Sequence, residues 1–231
     1  MYSNKENVNI LTALLVKKKI TKAVVCPGSR NSPIVHNLCA CPEIECYPVT
    51  DERSAGFVAL GMTLADNEPV AVCVTSGSAL LNLAPAVAEA FYQKRPLIII
   101  SADRPAQWID QQDGQTLQQH RALEPNVRKS VTLPEPHNEE ERWYCNRLVN
   151  EALNAVRMND GSPVHINVPI SEPLFEYDVP KLPDERNIFL MYAATNEVCV
   201  YEMAADFFRG KKLMVVFGQL IPEVVGNSLE A

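Results

Sequence analysis

Val70-Ala71-Val72-Cys73-Val74-Thr75-Ser76-Gly77-Ser78 opens the stretch VAVCVTSGSALLNLAPAVAEAFYQ, residues 70–93, in which five consecutive apolar residues pass through a short polar turn into a helix-length run. A strand that is apolar at every position has to be covered on both faces, which marks a parallel sheet flanked by crossover helices. The same unit recurs along the chain. Ala23-Val24-Val25-Cys26 leads into a predicted helix Ser32–Ala40, and Glu45-Cys46-Tyr47-Pro48-Val49 into Arg53–Ala65. Leu97-Ile98-Ile99-Ile100 follows the helix Ser78–Gln93, and Val164-His165-Ile166-Asn167-Val168 follows Glu139–Arg157, with a first helix at Glu6–Lys18. This βα alternation predicts the α/β class: a three-layer sandwich with a parallel central sheet, occupying residues 1–170. Strand order is not legible in the pattern.

After Pro169 the periodicity lapses. Pro173, Pro180 and Pro183 punctuate a segment that reads as a linker, residues 171–190. The chain then restarts at 191–231, with a predicted helix Asn196–Phe208, a strand Leu213–Phe217 and a further helix opening at Pro222. One helix and one strand cannot close a core, so the expectation is an N-terminal piece of a longer protein, cut at the start of a second α/β domain.

A chain of 231 residues with 47% hydrophobic content can bury a sizeable core. Its net charge of -7, with scattered Lys and Arg, argues against nucleic acid or an anionic membrane as partner. There is no signal-peptide pattern and no apolar run long enough to span a bilayer, so a cytoplasmic location is expected. The seven cysteines read as reduced thiols. Cys39-x-Cys41, with Cys46 nearby, lacks the second ligand pair that a zinc site needs, and no metal ligands are assigned. The four histidines show no nucleophile or acid partner pattern, which leaves hydrolase chemistry unsupported.

In open parallel sheets ligands bind beyond the carboxyl ends of the strands. Four predicted strands each end in a polar motif: Pro27-Gly28-Ser29-Arg30-Asn31-Ser32-Pro33, Asp51-Glu52-Arg53, Thr75-Ser76-Gly77-Ser78-Ala79 and Ser101-Ala102-Asp103-Arg104-Pro105. All four should face one crevice. Ser29 and Arg30 sit in a turn that opens a helix, where backbone N–H groups and a guanidinium converge on an anion, and Arg104 adds a second fork. Either arginine alone reads equally as an ion-pair partner; together, near the single carboxylate of Glu52, they suggest a carboxylate-bearing substrate. Glu52 itself has two readings: a first-turn residue supporting the Asp51 cap, or a carboxyl poised for proton transfer. Thr75-Ser76-Gly77 lacks the lysine of a P-loop, so nucleotide binding is not expected. The amide-rich loop Gln111–Gln119 is long enough to fold over the crevice, and Gln115, next to Gly114, is the expected ligand contact.

Taken in order, CPGSRNSP, DERSAGFVALG, VTSGSALLNLAPAVAEA and IIISADRP closely resemble the N-terminal domain of the 2-succinyl-5-enolpyruvyl-6-hydroxy-3-cyclohexene-1-carboxylate (SEPHCHC) synthases, thiamine diphosphate enzymes of menaquinone biosynthesis. The resemblance runs from about Val24 to Pro169. It implies decarboxylation of 2-oxoglutarate and addition of the remaining unit to isochorismate. It also implies that Glu52 meets the aminopyrimidine nitrogen that drives the cofactor's tautomerism, that Thr75, Ser76, Gly77 and Ser78 form the turn beside that ring, and that Ser29, Arg30, Arg104 and Gln115 contact substrate. The family holds diphosphate and Mg²⁺ through a Gly-Asp-Gly motif in another domain, and that motif is missing from this sequence. Asn159-Asp160-Gly161 reads only as a turn. The chain alone is thus expected to bind no cofactor tightly and to be inactive, while the full-length form is expected to be a homodimer or homotetramer. Alternatives are a related thiamine enzyme (an acetohydroxyacid synthase or a 2-oxoacid decarboxylase), whose pyruvate site has less need of two guanidinium groups, and a non-catalytic dimerisation or binding module, against which the presence of Glu52 argues.

Overall fold

The computed structural model describes residues 1–158, 161–190, 198–212 and 214. These divide into two compact units, Met1–Phe189 and Leu190–Ala231. The first unit is built on six strands: β1 Lys22–Val25, β2 Glu45–Pro48, β3 Val70–Val74, β4 Leu97–Asp103, β5 Lys129–Thr132 and β6 Val164–Pro169. They form one sheet in the order β2-β1-β3-β4-β6-β5, every pairing parallel. Helices α1 Glu6–Lys17, α2 Ser32–Ala40, α3 Glu52–Asp66, α4 Ser78–Asn82, α5 Ala84–Tyr92 and α6 Glu139–Ala155 cover it.

The period of two in each strand sorts its side chains to two cores. Ala71 and Cys73 join Ile98, Ile100, Ile166 and Val168 beneath α1, α2 and α6. Val70, Val72 and Val74 join Leu97 and Ile99 beneath α3, α4 and α5. Both faces are therefore apolar, as the uninterrupted Val/Ile runs require. On the second face α3 and α5 approach closely at Gly56, where an added Cβ would stand 2.9 Å from that of Ala86. The single predicted helix Ser78–Gln93 is two, α4 and α5, meeting at Leu83 just before Pro85. A proline one residue into α5 lacks the N–H that a continuous helix would need there.

Strand β5 has no counterpart in the sequence reading. Lys129-Ser130-Val131-Thr132 is a polar edge strand with only Val131 buried, so it shows no apolar run. Residues 171–189, read as part of a linker, lie within the first compact unit. A stripe of asparagines at helical spacing on α6 holds this segment by its backbone: Asn146 and Asn150 donate to the Arg186 carbonyl at 3.1 and 3.0 Å, and Asn154 to that of Ile188 at 2.9 Å. Glu185 is buried beneath it, paired with Arg142 and accepting from Asn146 at 2.7 Å. In the second unit α7 spans Val198–Phe208. Of the strand expected at Leu213–Phe217 only Met214 is described, and it belongs to no regular element; the helix expected from Pro222 and the turn residues Asn159 and Asp160 lie outside the described residues.

Candidate functional site at the carboxyl edge of the sheet

The strand order places the chain's reversal of direction between β1 and β3, since β2 lies on one side of β1 and all later strands on the other. In open parallel sheets ligand-binding groups collect at such a switch point, beyond the carboxyl ends of the strands. The Gly28–Asn31 turn leaves β1 there, and Thr75–Gly77 leaves β3. They touch: a Cβ on Gly28 would lie 2.5 Å from that of Thr75. The Asn31 amide donates to the Cys26 carbonyl at 2.8 Å, but its Oδ1 and the Thr75 hydroxyl are buried and have no hydrogen-bond partner among the described residues. Gly77 has φ +81°, a left-handed conformation that suits glycine, and a Cβ there would stand 3.0 Å from the Gln115 carbonyl. The amide-rich loop thus does fold back onto the β3 turn. Gln115 is exposed and left-handed itself, at φ 61°.

Glu52 begins α3 one strand away from the switch point, at the end of β2. Asp51 is the cap: it accepts from the Ser54 N–H at 2.8 Å, and these Ser54 hydrogen bonds hold its carboxyl below the ordinary value. Glu52 is half-buried and makes no hydrogen bond or ion pair among the described residues. Its charge is nevertheless felt by Cys26, whose thiol is pushed up to about 12, first by burial and then by Glu52 and Asp51. That cysteine stays protonated and inert.

The two arginines meet a different carboxylate from the one expected. Arg30 is buried, donating from Nη1 to the Ile170 carbonyl at 2.9 Å and from Nη2 to Glu172 at 3.1 Å. Arg104 pairs with Asp113 at 2.7 Å, donates to the Gly114 carbonyl at 3.2 Å and lies 3.9 Å from the same Glu172 oxygen. The guanidinium groups therefore gather where β6 ends, whereas Glu52 sits at the end of β2, about 19 Å away along the sheet at four strand spacings. Ser29 is exposed on the intervening turn.

Beneath these groups runs a polar network that the sequence reading missed. Gln119, almost fully buried, accepts from the Gly77 N–H at 2.7 Å and donates to the Ala102 carbonyl at 3.0 Å and Asn167 Oδ1 at 2.8 Å. Asn167 donates on to Asp103 at 2.8 Å and accepts from Ser101 at 2.8 Å, and the Ser101 hydroxyl bonds His165 Nε2 at 2.8 Å. Burial raises the Asp103 carboxyl, opposed by its bonds from Asn167 and the Arg104 N–H. His165 is a satisfied core residue, as expected, with its pKa lowered by burial to about 3. The signal available in the sequence was alternation: Ser101 and Asp103, and His165 and Asn167, are polar residues two apart on neighbouring buried strands.

The profile of the thiamine pyrophosphate enzyme N-terminal TPP binding domain matches residues 6–123, just over half of the chain. The chain belongs to this thiamine pyrophosphate enzyme family. Within it, the chain is 58% identical over 225 residues to the 2-succinyl-5-enolpyruvyl-6-hydroxy-3-cyclohexene-1-carboxylate synthase of Bacteroides fragilis, covering 95% of this chain and 40% of that protein. It is 53% identical to the synthase of the same name from Bacteroides thetaiotaomicron over the same shares. With that of Porphyromonas gingivalis it shares 42%, over 96% of this chain and 39% of the relative. The chain thus spans about 40% of the length of these relatives.

The residues present fit the aminopyrimidine end of thiamine pyrophosphate. A carboxyl without a partner, a buried hydroxyl and a buried amide oxygen without partners, and a glycine turn that brings backbone close are the groups an amino-substituted aromatic ring would engage. No cluster of three or more potential metal ligands occurs among the described residues.

Proposed function

We propose that this chain is the aminopyrimidine-binding and substrate-contacting part of a thiamine diphosphate-dependent SEPHCHC synthase, which decarboxylates 2-oxoglutarate and adds the resulting succinyl semialdehyde unit to isochorismate in menaquinone biosynthesis. The observation that carries the reading is the division of labour at the start of α3: Asp51 does the capping, leaving the half-buried Glu52 carboxyl at the carboxyl edge of the sheet without a partner among the described residues. The similarity to synthases of that name supports the choice of reaction.

In this reading Glu52 holds and returns a proton at the pyrimidine ring nitrogen. Thr75, Ser76, Gly77 and Ser78 form the wall beside the ring. Thr75 offers an unsatisfied hydroxyl, and Gly77 lets backbone approach because its conformation admits no side chain without strain. The cofactor, when bound, supplies the electron sink for decarboxylation of a 2-oxoacid. Arg104, at the mouth, Arg30, behind it, and Ser29 and Gln115 on the exposed turns engage the carboxylates of 2-oxoglutarate and isochorismate. Diphosphate and Mg²⁺ belong to the part of such synthases that the chain does not span, so the chain alone holds half a site and turns nothing over. The full-length protein is a homodimer or homotetramer. This is supported by the apolar outer surface of the second helical layer, where Phe57, Val58 and Leu64 of α3 and Leu81 of α4 are exposed. A cytoplasmic setting fits the free thiols.

The test is a product assay on the protein encoded by the complete reading frame, with thiamine diphosphate, Mg²⁺, 2-oxoglutarate and isochorismate. Formation of the coupled product is expected. Turnover of pyruvate with none of 2-oxoglutarate would reassign the chain to the acetohydroxyacid synthases or 2-oxoacid decarboxylases.

A further inference from the structure

Glu172 lies three residues beyond β6, and the main chain that carries it is pinned on both sides of the sheet edge. The Ile170 N–H donates to the Asp103 carbonyl at 3.0 Å, the Ile170 carbonyl receives Arg30, and Ser171 donates from both N and Oγ to Glu135 at 2.7 Å. The side chain is different: it is 70% exposed, yet its Oε1 lies 3.1 Å from Arg30 Nη2 and 3.9 Å from Arg104 Nη1. One carboxylate oxygen thus fills the gap between two guanidinium groups, from the solvent side.

Charge accounting around that gap shows why this matters. Arg104 already has Asp113 at 2.7 Å, and Arg30 has Asp103 as a nearby charge. With Glu172 in place, the two guanidinium groups face three carboxyl groups. An incoming carboxylate would therefore meet a site with no surplus positive charge. Asp103 is buried with both its oxygens hydrogen-bonded, to Asn167 and to the Arg104 N–H. Asp113 is only partly exposed and belongs to the same loop that holds Arg104 by the Gly114 carbonyl. Glu172 alone among the three has an exposed side chain and an anchored backbone, so it can turn away without dragging a loop with it.

Resting on the substrate-contacting role proposed above for Arg30 and Arg104, we propose that Glu172 is a placeholder for a ligand carboxylate. It occupies the shared fork when no ligand is bound, keeps the buried Arg30 neutralised, and yields the fork to a carboxylate ligand that arrives with a second anchoring group. It is a specificity-determining residue: a ligand with one carboxylate merely exchanges one carboxylate contact for another, whereas a dicarboxylate brings a second contact that makes the exchange favourable.

Calorimetric titration of the 231-residue chain with succinate, and with acetate for comparison, tests this in wild type, Glu172→Gln, Arg104→Ala/Glu172→Gln and a charge control, Glu176→Gln. Glutamine still accepts from Arg30, so the fold should persist, which a thermal melt verifies. Glu172→Gln should bind succinate roughly threefold or more tighter than wild type, since a partly exposed competing ion pair has been removed. The gain should vanish in the double variant and be absent in Glu176→Gln. Equal or weaker binding by Glu172→Gln, including no binding by either protein, overturns the proposal, as does a gain that survives loss of Arg104 or is matched by Glu176→Gln. Synthase turnover by the full-length protein is read separately. Turnover with no gain in Glu172→Gln removes the placeholder and leaves the reaction; a gain without turnover leaves the placeholder and removes the reaction.

Discussion

Replacing Arg30 by alanine should destabilise the first unit far more than replacing the carboxylate it pairs with. The Nη1 bond to the Ile170 carbonyl is 2.9 Å long and made by a buried guanidinium, so it belongs with hydrogen bonds to charged groups, worth about 1.5–3 kcal/mol. The Glu172 half of the interaction involves a 70% exposed side chain and is discounted for solvent to about 0–1 kcal/mol. Together the loss is about 2–4 kcal/mol. A unit of this size loses roughly 2–4 °C per kcal/mol, which puts the melting point of Arg30→Ala about 4–16 °C below wild type. Glu172→Ala should fall by no more than about 4 °C on the same scale. Thermal unfolding followed by far-ultraviolet circular dichroism measures both. A change within 2 °C for Arg30→Ala, or equal losses for the two variants, would refute the assignment of Arg30 as the tie between the β1 turn and the end of β6.

Gln119→Leu should cost about 2–5 kcal/mol, because it leaves the Gly77 N–H without its 2.7 Å acceptor and Asn167 Oδ1 without one of its donors. Amide hydrogen exchange at Gly77 should rise with it; unchanged exchange would show that another group holds the turn. Stability should also fall as pH drops from about 6.5 towards 3. His165, neutral in the fold with a pKa of about 3, has to take up a proton on unfolding, and each unit of difference is worth about 1.4 kcal/mol. The contribution is fully present above pH 6.5 and is lost on acidification; the raised Asp103 carboxyl works in the opposite sense, favouring the fold at low pH. Denaturant titrations from pH 7 to 4 should therefore show a shallower acid limb in His165→Gln, and an identical slope would contradict the buried neutral imidazole.

Much of the fold was legible because its information is local. Apolar runs such as Val70–Val74 and Leu97–Ile100 have a two-sided burial that only a parallel sheet with two helical layers provides, and the four polar motifs follow from where such strands must end. What stayed hidden was pairing. Strand order depends on which crossovers fall on which side of β1, and nothing within a single strand encodes that. Strand β5 is held by its ladder with β6 rather than by its own hydrophobicity. Residues 171–189 look like a linker because their partners are the asparagines of α6, whose spacing is visible while their targets are not. The same limit applied to the site. Ser29, Arg30, Glu52, Arg104 and the Thr75 turn all follow carboxyl ends of strands in one parallel sheet, but the carboxylate between the arginines is Glu172, from a segment with no periodic pattern. Gln119 escaped notice among the many amides of its loop because only burial distinguishes it from Gln115.

The central claim is that Glu52 is a chemical group and not a helix cap, and steady-state turnover of Glu52→Gln in the full-length protein tests it most directly. Glutamine preserves size and leaves the Asp51 cap in place, so folding and cofactor binding should persist while kcat falls by about 10²–10⁴, the range for loss of a positioned proton-transfer group. A kcat within threefold of wild type would contradict the account.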